Sequence, residues 1–234
     1  MKFKQVVDYT TLKPGDTYQE VEAILKGAIE KNFEGICVRP CDIDLAVKLC
    51  EGTNTIPCTV LDFPHGHGGL EGKAALSEIY AKKGIKEIDM VMNFAYARSG
   101  MWDEVKAEIK AVVDAAKPYG AIVKVIFEIG YLTQEDLVKA TEICVEAGAS
   151  YTKTCTGFFE PVNEEAVKTM VAAADGRIKV KVSGPGISDR ETADRYIALG
   201  ADKLGLGYVF ADKILGEYLG DAEAANVEVD KNAY

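Results

Sequence analysis

The chain has 234 residues, 48% hydrophobic and 27% charged, the composition of a folded globular protein, and no run approaches the roughly 18 apolar residues of a membrane span. Lys and Arg number 27 against 37 Asp and Glu, and the resulting charge of −10 repels a phosphate backbone, so neither a membrane nor a nucleic acid is expected as a partner. The opening MKFKQVVDYT lacks the apolar stretch and cleavage site of a secretory leader, which points to a reducing cytoplasm; the six cysteines (37, 41, 50, 58, 144, 155) then read as thiols, and without a CxxC pair no zinc site is expected.

In chain order, Val6–Thr10 reads as a first short strand. The stretch Thr17–Phe33 follows as a helix, with Val21, Ile24, Leu25, Ala28 and Ile29 on one stripe. Further strands are predicted at Gly35–Val38, Thr59–Phe63, Glu87–Met92, Ile122–Glu128, Tyr151–Cys155, Ile178–Ser183 and Lys203–Leu206, separated by longer amphipathic runs. One of these runs, Thr133–Ala147, opens on Thr133-x-x-Asp136 in the manner of a capping box and keeps Leu137, Ala140, Thr141 and Cys144 on one face. Eight strands alternating with helices, undivided by any linker, predict an α/β fold built as a single (β/α)8 TIM barrel over residues 1–220, followed by a polar C-terminal tail over 221–234. A doubly wound open sheet competes with this architecture, but neither GxGxxG nor GxxxxGK[ST] follows an early strand.

Side chains alternate along a strand, so the faces can be read directly. With Ile178, Val180 and Val182 under the helices, Lys179, Lys181 and Ser183 point into the barrel; likewise Lys124 groups with Ile126 and Glu128, Asp89 with Val91, and Lys153 with Tyr151 and Cys155. Such an interior is costly unless its charges are paired or used. A structural ion-pair network is one reading. The other is chemical, because barrel enzymes place catalysis at the C-terminal ends of strands, where Lys153 and Lys181 stand. A lysine crowded by a second cation loses its proton more readily; the free amine attacks an aldehyde to form an iminium that permits C–C cleavage, with a carboxylate such as Asp89 moving protons. A metal route lacks ligands: there are two histidines, His65 and His67, short of a three-histidine site, and a mixed site with Asp62 or Glu71 is weaker than a pair of rim histidines.

As an ordered set these segments resemble the deoxyribose-phosphate aldolases, a class I Schiff-base family of (β/α)8 barrels. The similarity runs from Asp8-Tyr9-Thr10-Thr11-Leu12-Lys13-Pro14 to Gly200-Ala201-Asp202-Lys203-Leu204-Gly205 and is carried by Phe63-Pro64-His65-Gly66, Glu87-Ile88-Asp89-Met90-Val91, Lys124-Val125-Ile126-Phe127-Glu128, Tyr131-Leu132-Thr133, Lys153-Thr154-Cys155-Thr156-Gly157-Phe158 and Lys181-Val182-Ser183-Gly184. The resemblance implies that Lys153 forms the Schiff base, that Lys181 lowers its pKa and that Asp89 relays protons. It implies further that Asp8, Thr10, Cys37, Thr156, Gly157, Ser183, Gly184, Gly186, Gly205 and Gly207 form the substrate pocket. Lys179, which lacks the following Ser-Gly context of Lys181, is then structural. No cofactor and no metal are implied; the partner is a small aldehyde or sugar phosphate, and a homo-oligomer is compatible with the family.

The departures from the family pattern gather at the phosphate end. Pro185 interrupts Gly184-Pro185-Gly186 where the family has Gly-Gly, Gly205-Leu206-Gly207-Tyr208 lacks the usual hydroxyls, and Phe159-Glu160-Pro161-Val162-Asn163 replaces a glycine-rich loop. The implied reaction is reversible cleavage of 2-deoxy-D-ribose 5-phosphate to acetaldehyde and glyceraldehyde 3-phosphate. Its alternatives are the same lysine chemistry on another or unphosphorylated acceptor, and a barrel that binds a metabolite without catalysis. Arg39 reads either as an anion ligand or as a surface salt bridge, and Tyr234 either as a lid over the barrel mouth or as the end of a free tail.

Overall fold

The computed structural model describes residues 3–225 together with 227 and 229. Eight parallel strands follow one another around a closed barrel: β1 (Val7–Thr11), β2 (Gly35–Val38), β3 (Ile56–Leu61), β4 (Glu87–Val91), β5 (Ile122–Ile126), β6 (Tyr151–Lys153), β7 (Lys179–Ser183) and β8 (Lys203–Gly207), which pairs back to β1. Helices α1 (Tyr18–Glu30), α2 (Ile43–Cys50), α3 (Gly69–Lys82), α4 (Phe94–Arg98), α5 (Trp102–Ala116), α6 (Gln134–Ala147), α7 (Glu164–Ala174), α8 (Arg190–Ala198), α9 (Tyr208–Leu219) and α10 (Ala222–Ala225) cover it. The TIM-barrel reading therefore holds, and the open sheet does not.

Local chemistry explains the helix starts. Thr17 caps α1 through Glu20, and Thr133 caps α6 through Asp136, each a reciprocal box satisfying amides that the first turn leaves free. Strands β3 and β5 end two residues before their expected limits, and β3 also begins three residues earlier, at Ile56. Asp62 (φ 54°) and Glu128 (φ 57°) adopt the left-handed region after β3 and β5, which takes the backbone out of the ladder before Phe63 and Glu128 can pair.

The principal core is the annulus between strands and helices, where Ile36, Ile88, Met90, Val123, Val125, Val180, Val182 and Leu204 meet Leu25, Ile109, Leu137 and Val167. Inside the barrel a second, small apolar cluster of Leu12, Cys37, Cys58 and Val60 lines the β2–β3 wall. The rest of the interior is charged. Alternation places Lys181 inside as the sequence predicts, but the expectation for Lys179 is corrected: it starts β7, is exposed, and lays its amine 5.3 Å from the centroid of the Tyr151 ring at the N-terminal face. Period-two alternation identifies a face but not a depth, and at the end of a strand the inward direction opens to water.

Two glycines make room for this interior. A Cβ at Gly35 would collide with Asp8 Oδ1, and one at Gly205 would stand 2.9 Å from both Lys181 Cε and Ser183 Cβ. Past α9 the chain turns back so that Ala224 packs on Gly216. Tyr234 lies outside the described residues, and among those described no helix is long and apolar enough to cross a membrane. Because Gly35 and Gly205 are close-packed, Gly35→Ala and Gly205→Ala should each lose about 1–3 kcal/mol of stability, measured by urea unfolding; an unchanged midpoint would mean that the interior has slack.

Candidate active site

The site is assembled from strand residues far apart in sequence. Asp8 on β1 and Asp89 on β4 are fully buried, and between them they gather four lysines. Asp89 Oδ2 lies 2.8 Å from Lys153 Nζ on β6 and 2.7 Å from Lys181 Nζ on β7. Lys181 is also 2.5 Å from Asp8 Oδ2, while Lys124 on β5 reaches Asp8 at 2.8 Å, Glu87 at 2.5 Å and Asp89 at 3.0 Å. Lys203 on β8 closes the lower layer against Asp8 at 3.2 Å, Glu87 at 3.0 Å and Glu34 at 3.5 Å.

Burial by itself opposes the charged form of every one of these groups. For Asp8 it is outweighed by Lys124, Lys181 and Lys203, and for Asp89 by Lys124, Lys153 and Lys181, so both carboxyls are held well below the usual range. Against the same penalty, Asp8 and Asp89 hold Lys124 and Lys181, and Asp8 and Glu87 hold Lys203, well above the ordinary lysine value. Lys153 differs in its pairing. Its one carboxylate partner within ion-pair distance among the described residues is Asp89, and that oxygen is shared with Lys181. The two lysines picked out by their strand faces are thus bridged by a carboxylate rather than left in bare contact. Lys153 is the amine nearest the C-terminal mouth, 3% exposed against 0% for Lys181 and Lys124.

The remaining expected pocket residues divide by position. Thr10 sits where β1 meets Gly207 of β8 and donates its hydroxyl to the carbonyl of Asp8. Thr156 donates both its backbone N–H and its hydroxyl to Glu128 Oε2, at 2.9 and 2.5 Å, and Gly157 follows at φ 97°. Glu128 Oε1 is buried with no hydrogen-bond partner among the described residues, and burial raises this carboxyl above its ordinary value. Ser183 donates its hydroxyl to the carbonyl of Cys155, and its backbone and Thr154 bond reciprocally, locking the ends of β6 and β7. Above that lock, Gly184, Pro185, Gly186, Ile187, Ser188, Leu206, Gly207 and Phe210 line a cavity of about 220 Å³. The N-terminus of α9 starts there, its Gly207 cap supplying no side chain. Pro185 offers this loop no N–H, but its carbonyl accepts from Val162 N at 2.9 Å and ties the β6 loop to the β7 loop. Gly205 lies deeper, against Lys181, while Cys37 sits behind Asp89 with its sulfur 3.5 Å from Cys58.

Other residues singled out in the sequence serve the frame. Arg39 pairs with Asp42 at 2.6 Å and donates to the carbonyls of Lys13 and Asp16, pinning the β1–α1 loop. His65 stacks near His67 and Phe159, and His67 near Phe94, in an aromatic rim that also includes Tyr131. Asp62 turns away from the histidines to accept from Gly68 N, with Lys73 3.4 Å off. The groups Cys37, Cys58, Asp89 and Asp8, Cys58, Glu87 have donor atoms close enough for a metal, but their carboxylates are already engaged by lysine ammonium groups that a cation would have to displace.

Lys203, Glu87 and Cys58 are site residues that the sequence reading misses. Lys203 shares its alternating face with Gly205 and Gly207, and Glu87 shares one with Asp89, so the period-two signal exists for both. Lys73, wholly buried in α3 and 2.5 Å from Glu108 of α5, carries no such signal, because nothing local marks its partner.

Asp8→Asn removes a carboxylate on which Lys124, Lys181 and Lys203 all depend, and it should cost about 3–5 kcal/mol. The pH dependence has a definite sign. Both carboxyls lie below their unfolded value of about 3.9, so their contribution is complete above about pH 4 and is withdrawn as pH falls through the lower folded values. Circular dichroism should therefore show a shallower acid-unfolding limb in Asp8→Asn than in the parent; parallel limbs would remove Asp8 from the network.

No family model matches the chain. A deoxyribose-phosphate aldolase of Thermoanaerobacter sp. (strain X514) is 42% identical over 207 residues, covering 88% of this chain and 92% of that protein. Among solved structures, one described as QR15, an aldolase, superposes with a TM-score of 0.87 at 34% identity, covering 94% of this chain and 98% of the other. Another, a deoxyribose phosphate aldolase from Aeropyrum pernix described as having a unique tetrameric structure, gives 0.84 at 27% identity over 93% and 90% of the two chains. An interior of paired lysines and aspartates opening at the C-terminal face, together with identity of this extent along nearly the whole barrel, makes this chain a member of the deoxyribose-phosphate aldolase family.

Proposed function

We propose that the protein is a Schiff-base aldehyde-lyase that reversibly cleaves 2-deoxy-D-ribose 5-phosphate to acetaldehyde and glyceraldehyde 3-phosphate, with Lys153 as the imine-forming residue. The observation that carries this reading is the single oxygen, Asp89 Oδ2, held 2.8 Å from Lys153 and 2.7 Å from Lys181. It gives the nucleophilic amine a neighbour that accepts a proton and returns it, beside a second lysine that stays positively charged.

In this scheme the neutral Lys153 amine attacks the aldehyde carbon of the open-chain sugar, and its surplus proton passes to the Asp89–Lys181 pair. The same pair protonates the carbinolamine hydroxyl, which leaves as water, so that an iminium forms. The C3 hydroxyl then gives its proton to Asp89 and the C2–C3 bond breaks, its electrons moving into the iminium to give an enamine and free glyceraldehyde 3-phosphate. Protonation of the enamine carbon and hydrolysis release acetaldehyde and restore Lys153. Lys181, tied to Asp8 as well as Asp89, keeps its positive charge beside the imine throughout.

The phosphate is read into the cavity between β7 and β8. The N-terminus of α9 and the loop amides from Gly186 onward offer N–H groups, Ser188 adds a hydroxyl, and Lys13 brings an amine within 5.6 Å of the Tyr208 ring at the start of α9. These replace the hydroxyls missing from Gly205-Leu206-Gly207-Tyr208. Neither a different acceptor nor a non-catalytic barrel is favoured by the relatives. The tetrameric relative supports assembly of this chain as a homo-oligomer.

Acetaldehyde with sodium borohydride should leave a reduced adduct that maps to Lys153 and is absent from Lys153→Met, whose turnover should fall at least about a thousandfold. No adduct on the parent protein would refute the Schiff-base reading. In steady-state kinetics kcat/KM for deoxyribose 5-phosphate should exceed that for deoxyribose by at least about a hundredfold; equal values would empty the cavity of its assigned phosphate.

A further inference from the structure

Behind Asp89 the sheet brings together two cysteines that the proposed reaction does not use. Cys37 on β2 and Cys58 on β3 are register partners on adjacent parallel strands, both wholly buried, with their sulfurs 3.5 Å apart. Adjacent strands run about 4.8 Å apart, within the Cα separation of about 4.4–6.8 Å that a disulfide tolerates. Closing the sulfur gap to the about 2.05 Å of a covalent bond, with the Cβ atoms at about 3.5–4.5 Å, takes side-chain torsion and a small approach of the two strands.

The two sulfurs are chemically unequal. A hydrogen bond from Cys58 and the nearby amines of Lys181 and Lys153 favour the thiolate of Cys37 and outweigh its burial, whereas burial and that same hydrogen bond push Cys58 up. Burial pushes Cys50 and Cys155 to about 12, which leaves them poor nucleophiles. Cys58 Sγ also touches the charge cluster, 3.4 Å from Asp89 Oδ1 and 3.5 Å from Lys124 Nζ.

From this geometry we infer that Cys37 and Cys58 are a peroxide-oxidisable dithiol whose closure to a disulfide inactivates the neighbouring amine cluster. The Cys37 thiolate attacks one oxygen of hydrogen peroxide; the O–O bond breaks and hydroxide leaves, giving a sulfenic acid. Cys58 then attacks that sulfur, the S–O bond breaks, and the Cys58 proton leaves with the hydroxide as water. Two thiols and one peroxide become one disulfide and two waters, the sulfurs giving up two electrons. A barrel mouth that admits an aldehyde to Lys153 admits the smaller peroxide. Once closed, the pair holds neither the Cys58 hydrogen nor a thiolate beside Asp89, Lys153 and Lys181, so the carboxylate those amines share is paired differently.

Peroxide treatment followed by intact-mass spectrometry should show a loss of about 2 Da, the two hydrogens that a disulfide gives up. A non-reducing digest should link Cys37 to Cys58. Turnover should fall at least about tenfold and recover on adding dithiothreitol. Cys41→Ser, which alters the exposed thiol, should respond like the parent protein. Cys58→Ala, normalised to its own untreated rate, should lose the dithiothreitol-reversible step and accumulate oxygen on Cys37 instead. A link between other cysteines, Cys37 oxidised without a link in the parent protein, or a Cys37–Cys58 link with unchanged turnover would each overturn the proposal. The mass and mapping readouts need no substrate, so they stand apart from any failure of the aldolase reading.

Discussion

Everything at the centre of this barrel depends on two aspartates holding lysines that are almost wholly buried. Asp8 and Asp89 are opposite charges at close range to Lys124, Lys153, Lys181 and Lys203, and without them four amines on four short strands would repel one another. The glycines follow from that arrangement. Gly35 is bare so that the Asp8 carboxylate can lie across it, and Gly205 is bare so that the Lys181 stem can pass. The interior is also divided, with an apolar wall on β2 and β3 facing a charged one. A substrate that enters between them meets hydrocarbon and sulfur on one side and fixed charge on the other, and in the proposed chemistry charge develops on the second.

Much of this is legible in the residues themselves. Alternation of Val-rich and amphipathic runs specifies eight strands, and the period of two within them specifies which side chains face inward, so Asp89, Lys153 and Lys181 stand out from the sequence pattern alone. What alternation lacks is depth. Lys179 and Lys181 carry the same signal, but one ends over Tyr151 in solvent and the other against Asp8 and Asp89. Pairing across the barrel is equally silent, since Lys203 acquires meaning only when β8 closes onto β1 and brings Asp8 within 3.2 Å. Strand ends are overestimated from sequence because the left-handed residues Asp62 and Glu128 are set by what those side chains bind, Gly68 N and Thr156, and not by local propensity.

The loops at the mouth show the same limit. Pro185 and the bulky segment 159–163 read in the sequence as damage to a glycine-rich phosphate site, whereas in the fold they meet each other. A sequence displays which side chains these loops lack, but the backbone N–H and C=O groups that join them carry no residue-specific mark.

The backbone bond from Val162 to Pro185 has one more effect. It staples the segment following Lys153 to the segment lining the cavity between β7 and β8, two stretches that belong to separate loops. A shift in either is passed mechanically to its neighbour, so in the proposed chemistry grip at the far end of the sugar and alignment at its aldehyde end vary together. On that reading a strut in the main chain gauges substrate length, and grafting either loop alone from a relative would break the measure.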